Sequence, residues 1–159
     1  MSDVLSPAER ILAAFEKRRI DRIAIYHSGF SSRVGSALLG HECYSGGGIN
    51  QWRESKALWE GPDAHAAFVE QTTQDARDLA RVSKSDMIRL AYWRLPTKPT
   101  RKIDEYTYLF GDPDGTYKVQ QLDPVTELYQ VIDSCDPSAP QTVEDLEPIV
   151  AARERALEN

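Results

Sequence analysis

His27 follows an apolar run, Ile23-Ala24-Ile25-Tyr26, and precedes Ser28-Gly29-Phe30. An imidazole at such a place can bind substrate or act as an acid–base group. It can equally be a hydrogen-bonded histidine that closes a strand end. Ser31, Ser32 and Arg33 come next, at the start of a short helix. Free amides, the helix dipole and a guanidinium would together hold a carboxylate or phosphate there. Without a ligand, Ser31 or Ser32 is a plain cap and Arg33 a solvated cation. Trp52, Trp93 and Arg94 complete the candidate substrate contacts. Gly46-Gly47-Gly48 reads as a hinge that brings Gln51 and Trp52 forward, while Trp93 and Arg94 close a second apolar run. Aromatic residues at a strand end are also ordinary core. His41-Glu42-Cys43 offers two zinc-type ligands in one loop, but zinc needs a third to converge, and Cys135 lies far downstream. The preferred reading is a loop containing a histidine and a cysteine. The three glycines are not followed by Lys-Ser/Thr, so they are no phosphate loop. His65 is expected in solvent on a long helix. No catalytic residue is assigned, because no Ser/His/Asp set or fixed carboxylate pair stands out.

Those residues need elements to position them. Ser6, Pro7 and Glu9 form a capping box that opens a helix, with Ile11, Leu12 and Phe15 as its buried stripe and Arg10 turned to water. Asp21-Arg22 breaks the helical period before a short buried strand over residues 23–26. A helix over 33–39 stops at Gly40, and another spans 51–60, with Trp52 and Trp59 on one side. Asp63 is expected to cap the longest helix, 64–82, whose buried face is Phe68, Thr72, Ala76, Leu79 and Val82. Residues 87–93 read as a second core strand. This alternation predicts an α/β fold with parallel strands. Beyond a Pro-containing connection, residues 104–110 and 116–122 form an antiparallel β-hairpin across Gly111-Asp112-Pro113-Asp114-Gly115, with Gly115 at positive φ. Residues 125–132 suit strand or helix. Thr142 and Asp145 offer a second capping box for a final helix; alternatively Asp145 caps it, which would put Pro148 in the first turn.

The run Glu9-Arg10-Ile11-Leu12-Ala13-Ala14, followed by Asp21-Arg22-Ile23-Ala24-Ile25, resembles the opening of the uroporphyrinogen decarboxylase superfamily. Members begin with a capped helix and a D-R dipeptide that leads into the first barrel strand. The resemblance implies the N-terminal part of a (β/α)8 TIM-barrel-like fold with a β-hairpin insertion, the barrel being incomplete. Residues 1–94 would supply helix, strand, helices and strand, 95–134 the insertion, and 141–159 a helix, all in one truncated domain. It also implies a lyase or methyltransferase chemistry. Zinc or a corrinoid enters through the resemblance alone. The haem-pathway decarboxylase holds substrate carboxylates with two arginines after the first strand; here the first position is Gly29 and the second Arg33. Its pyrrole-facing aspartate corresponds to Trp93. The chain is therefore closer to methyltransferase-like or uncharacterised members.

A chain of 159 residues is short of the ~250 that a whole barrel takes. A fragment or split protein, inactive alone, is expected, with a complementary C-terminal half or self-association supplying what is missing. The other reading is a non-catalytic binding or assembly module that uses the barrel mouth or open edge. A net charge of -6 argues against nucleic acid as a partner, and no apolar run or leader points to a membrane. Two cysteines without framework spacing suit a reduced, cytoplasmic protein with a small-molecule substrate.

Overall fold

In the computed structural model, described over residues 4–89, 97–140 and 142–157, the Ser6 capping box forms as expected. The Ser6 amide donates to Glu9 Oε2 at 2.8 Å, and the Glu9 amide donates back to Ser6 Oγ. It opens α1, Pro7–Phe15. The face of α1 is the reverse of the expected one. Arg10 and Ala13 are buried, whereas Leu12 and Phe15 are 56% and 80% exposed. Charge pairing outweighs apolar burial at this helix. Arg10 Nε and a terminal nitrogen grip both oxygens of Asp21 at 2.7 and 2.8 Å, and its other terminal nitrogen donates to Asp86. Arg22 closes the cluster with bonds of 2.7 and 2.8 Å to the Asp86 oxygens. The Arg10 guanidinium holds the Asp21 carboxyl well below the usual carboxylate range. Burial pushes Asp86 the other way, but the Ile25 amide, Arg22 and Arg10 outweigh it.

That cluster also explains why residues 23–26 are not a strand. Asp86 occupies both backbone groups of Ile25: its amide donates to the Ile25 carbonyl at 2.7 Å and its carboxylate accepts from the Ile25 amide at 2.9 Å. A side chain thus takes the place of a neighbouring strand, and no ladder can propagate from it. Residues 87–89 carry no strand either, and the remainder of that expected strand lies outside the described residues.

Three helices follow: α2, Ser32–Leu39; α3, Gly48–Glu60; and α4, Pro62–Val82. Ser31 caps α2 by accepting from the Val34 amide, as expected. Gly61, not Asp63, holds the cap position of α4, and Pro62 is its first residue. Phe68, Thr72 and Leu79 are buried on α4 as expected, but Val82 is half exposed and Asp75 joins the buried face.

The strands are β1, Arg101–Lys102; β2, Thr107–Gly111; β3, Tyr117–Asp123; and β4, Leu128–Cys135. They form one open antiparallel sheet in the order β1-β2-β3-β4. The hairpin is where its sequence puts it, though the positive φ of 91° is at Gly111, where a Cβ would come within 2.3 Å of the Thr116 carbonyl. Residues 125–132 resolve into a turn and β4, because pairing with β3 covers Tyr129. Tyr108, Phe110, Leu122 and Tyr129 make the sheet's core, against Ile49 and Trp52 of α3. Gly48 permits that approach: a Cβ there would lie 2.4 Å from the Glu127 carbonyl oxygen and the Tyr129 amide nitrogen. Last comes α5, Val143–Leu157, opened by the Thr142–Asp145 box, with Pro148 inside it and no buried residue. No helix among the described residues is long and apolar enough to cross a membrane. Over the described residues the chain is mixed α/β, five helices with one open four-stranded sheet.

Candidate functional site

The pairing of Ile25 with Asp86 sets two chain segments side by side, and beyond it they diverge around a cavity of about 80 Å³. Residues 27–30 form one wall and Ser85, Met87, Ile88 and Arg89 another. Ala76, Leu79 and Ala80 of α4 supply an apolar floor, and the loop into α3 contributes Tyr44 to Gly46. Among its described lining residues there is no carboxylate. Its polar lining residues are Ser28, Ser45, Thr72 and Ser85 with their hydroxyls, Tyr44, Asn50, His27 and the cationic Arg89. Such a lining suits a small organic molecule with an apolar body.

Asn50 is held from one end only. Its Nδ2 donates to Thr72 Oγ1 at 3.0 Å, and the Thr72 hydroxyl in turn donates to the Tyr44 carbonyl at 2.8 Å. The shielded Asn50 Oδ1 has no hydrogen-bond partner among the described residues.

One buried carboxylate fixes the 41–46 loop on α4. Asp75, 1% exposed, accepts from the Tyr44 amide at 2.6 Å, from Gln71 at 2.9 Å and from His41 Nε2 at 3.0 Å. The Asp75 bond raises the His41 pKa above its ordinary 6.5, against the opposing effect of desolvation. Arg53 is likewise buried; it binds the Cys43 carbonyl and Glu42, and its guanidinium covers the Tyr44 ring at 4.6 Å.

The sequence candidates separate on this geometry. His27 lines the cavity and meets the Phe30 ring at a tilt of 41°, with ring centroids 5.0 Å apart. Ser31 borders a shallow neighbouring depression with Gly46 and Gly47. Arg33 does not line the cavity; it reaches the β3–β4 turn, donating to the Val125 carbonyl at 2.5 Å and facing Glu127 at 3.5 Å. Trp52 is drawn to the sheet, where its ring meets Tyr106 at 5.8 Å and its Nε1 donates to the Glu105 carbonyl. Gly48 before it serves close packing on β4, and Trp52 is not among the residues that line the cavity. Trp93 and Arg94 lie outside the described residues. His65 is not solvated as expected: its Nε2 lies 3.0 Å from the buried Glu54 carboxylate. His41 is committed to Asp75. Cys43 is fully buried, its thiol donating to Ser45 Oγ at 3.2 Å, and burial pushes its pKa up. A thiol so held is a poor ligand or nucleophile in this conformation.

Asp75, Asn50 and Thr72 were not singled out from sequence as site residues. Asn50 and Thr72 are a helical pair across α3 and α4, which no local spacing reveals. Asp75 did leave a trace, a carboxylate in phase with Phe68, Thr72 and Leu79 on a face that should be apolar. Comparison with family models, curated proteins and solved structures finds no match for the chain.

Proposed function

We propose that this chain is the N-terminal portion of a decarboxylase- or methyltransferase-like α/β barrel, with the cavity beside His27 as one wall of a small-molecule site. The observation that carries this reading is the adjacency of residues 25 and 86. The end of the first expected strand lies beside the residue that precedes the second, and the chain beyond each lines the same cavity. Residues 27–30 follow the carboxyl end of the first expected strand, the edge at which such folds place substrate. His27 is the substrate-binding or acid–base group in this reading. Arg33 has no substrate role in this conformation. Turnover would depend on groups from a complementary C-terminal half, and zinc or a corrinoid would belong to that half.

The reading is tested by amide-resolved NMR titration with a panel of small carboxylic acids and thiols. Shifts should concentrate at residues 27–30, 44–46 and 85–89, and His27→Ala should weaken the best ligand about tenfold, the loss of one good polar contact. If no member of the panel moves those amides, the site reading fails. A second reading, a binding module without catalysis, draws on a different observation: α1 and α5 both turn apolar side chains outward.

A further inference from the structure

The two outward faces are flanked by segments of opposite charge. On α1, Ile11, Leu12 and Phe15 lie roughly half a turn away from the docked residues Arg10 and Ala13 at ~100° per residue. Glu16, paired with Arg18 at 2.6 Å, and the exposed Lys17 and Arg19 follow, so residues 16–19 carry a net charge of +2. On α5, Leu146, Ile149 and Val150 form one stripe and are 46 to 52% exposed. Glu144, Asp145 and Glu147 crowd its first turns. A helix pair laid antiparallel would set the acidic start of α5 against the basic segment that follows α1 and bury both stripes.

We infer that α5 of one copy packs on α1 of a second copy, and reciprocally, so that two chains form a closed dimer. The inference does not rest on the barrel reading. It rests on two unpartnered faces flanked by complementary charge and on size. At ~1.5 Å per residue, α1 is about 13 Å long and α5 about 22 Å, so a single crossing is small. Stable complexes bury about 1,200 Å² or more in total. Two-fold symmetry makes the same contact twice, which one chain folding α5 onto its own α1 cannot do.

The test uses the full 159-residue chain in sedimentation velocity over low to high micromolar concentrations. The parent should be a dimer that dissociates on dilution, and added salt should weaken it. Phe15→Asp and Ile149→Asp alter exposed positions, so circular dichroism should be unchanged for each. Each should weaken self-association about 100-fold or more, as loss of a central apolar anchor does. Mixing the two variants should then restore a heterodimer of intermediate affinity, because one of its two contacts joins an intact α5 to an intact α1. A parent that is monomeric throughout, including one with α5 on its own α1, overturns the inference. So do variants that associate like the parent, or a species heavier than a dimer. Variants that are monomeric but give no heterodimer on mixing would assign the contact to like helices and equally overturn it.

Discussion

Residues 4–89 and 97–135 are held together by different interactions, and they respond to different insults. The sheet is assembled from apolar and aromatic residues: Tyr108, Phe110, Leu122 and Tyr129 sit on one face, and Leu109 and Val119, also buried, pair across strands on the other. The helical part is stapled by buried charge. Arg10, Asp21 and Asp86 tie α1 to the turn after α4, Asp75 ties the 41–46 loop to α4, and Glu54 with His65 sits where α3 meets α4. Apolar packing is tolerant of partner and indifferent to pH. Buried ion pairs need every member present and ionised.

The largest effect should come from breaking each region in its own currency. Phe110→Ala removes a buried ring and should cost about 3–5 kcal/mol by chemical denaturation, nearly independent of pH. Asp86→Ala should cost about 3 kcal/mol or more, because the buried Arg10 guanidinium loses a partner and the Ile25 amide loses its acceptor. The second loss has a pH signature. Asp21 and Asp86 have folded-state pKa values below the ordinary 3.8, so their contribution is present above that pH and disappears as pH falls through the lowered values. Hydrogen exchange below pH 3.8 should therefore release amides near residues 10, 25 and 86 before those of β2 and β3. Simultaneous release, or an Asp86→Ala variant as stable as the parent, would erase the distinction between the regions.

His41 sharpens the same comparison at the other end of the pH scale, with a smaller effect. Its folded-state pKa is raised by Asp75, so the stabilisation is complete below 6.5 and fades as pH climbs through the raised value. The parent should therefore lose some melting temperature as pH rises above 6.5. His41→Gln should be flatter there. A parent as flat as the variant would mean that the His41–Asp75 bond carries no net charge interaction.

This division also decides what the sequence made legible. The hairpin could be read because alternation and turn chemistry are local: Tyr117 to Gln120 alternates, and Gly111 to Gly115 supplies the turn. The caps at Ser6, Ser31 and Thr142 were legible for the same reason. The face of α1 was not, since periodicity ranks Ile11, Leu12 and Phe15 as inner residues and has no means of knowing that Asp86 waits for Arg10 across 76 positions. The strand over 23–26 failed through the same carboxylate. At the site, His27 was placed by its position after an apolar run, whereas Arg33 and Trp52 were pulled elsewhere by Glu127 and the sheet. Long-range charge is what local pattern cannot see.

The smallest expected effect is the most direct reversal. Hydrophobic pattern alone gives Phe15→Ala a cost of about 3–5 kcal/mol, the value for a buried ring. With Phe15 80% exposed, the same substitution should change the stability of the dilute monomer by no more than about 0.5 kcal/mol. Ser6→Ala, two helical turns earlier, should cost about 1 kcal/mol, because it leaves the Glu9 amide without its cap acceptor. A polar cap would then outweigh an aromatic ring on the same helix. The order matters more than either value. If Phe15→Ala proved costlier than Ser6→Ala at a concentration where no dimer forms, α1 would be docked through its apolar stripe. The buried Arg10 cluster would then not be what anchors the helical region, and the contrast with the sheet would collapse at its first element.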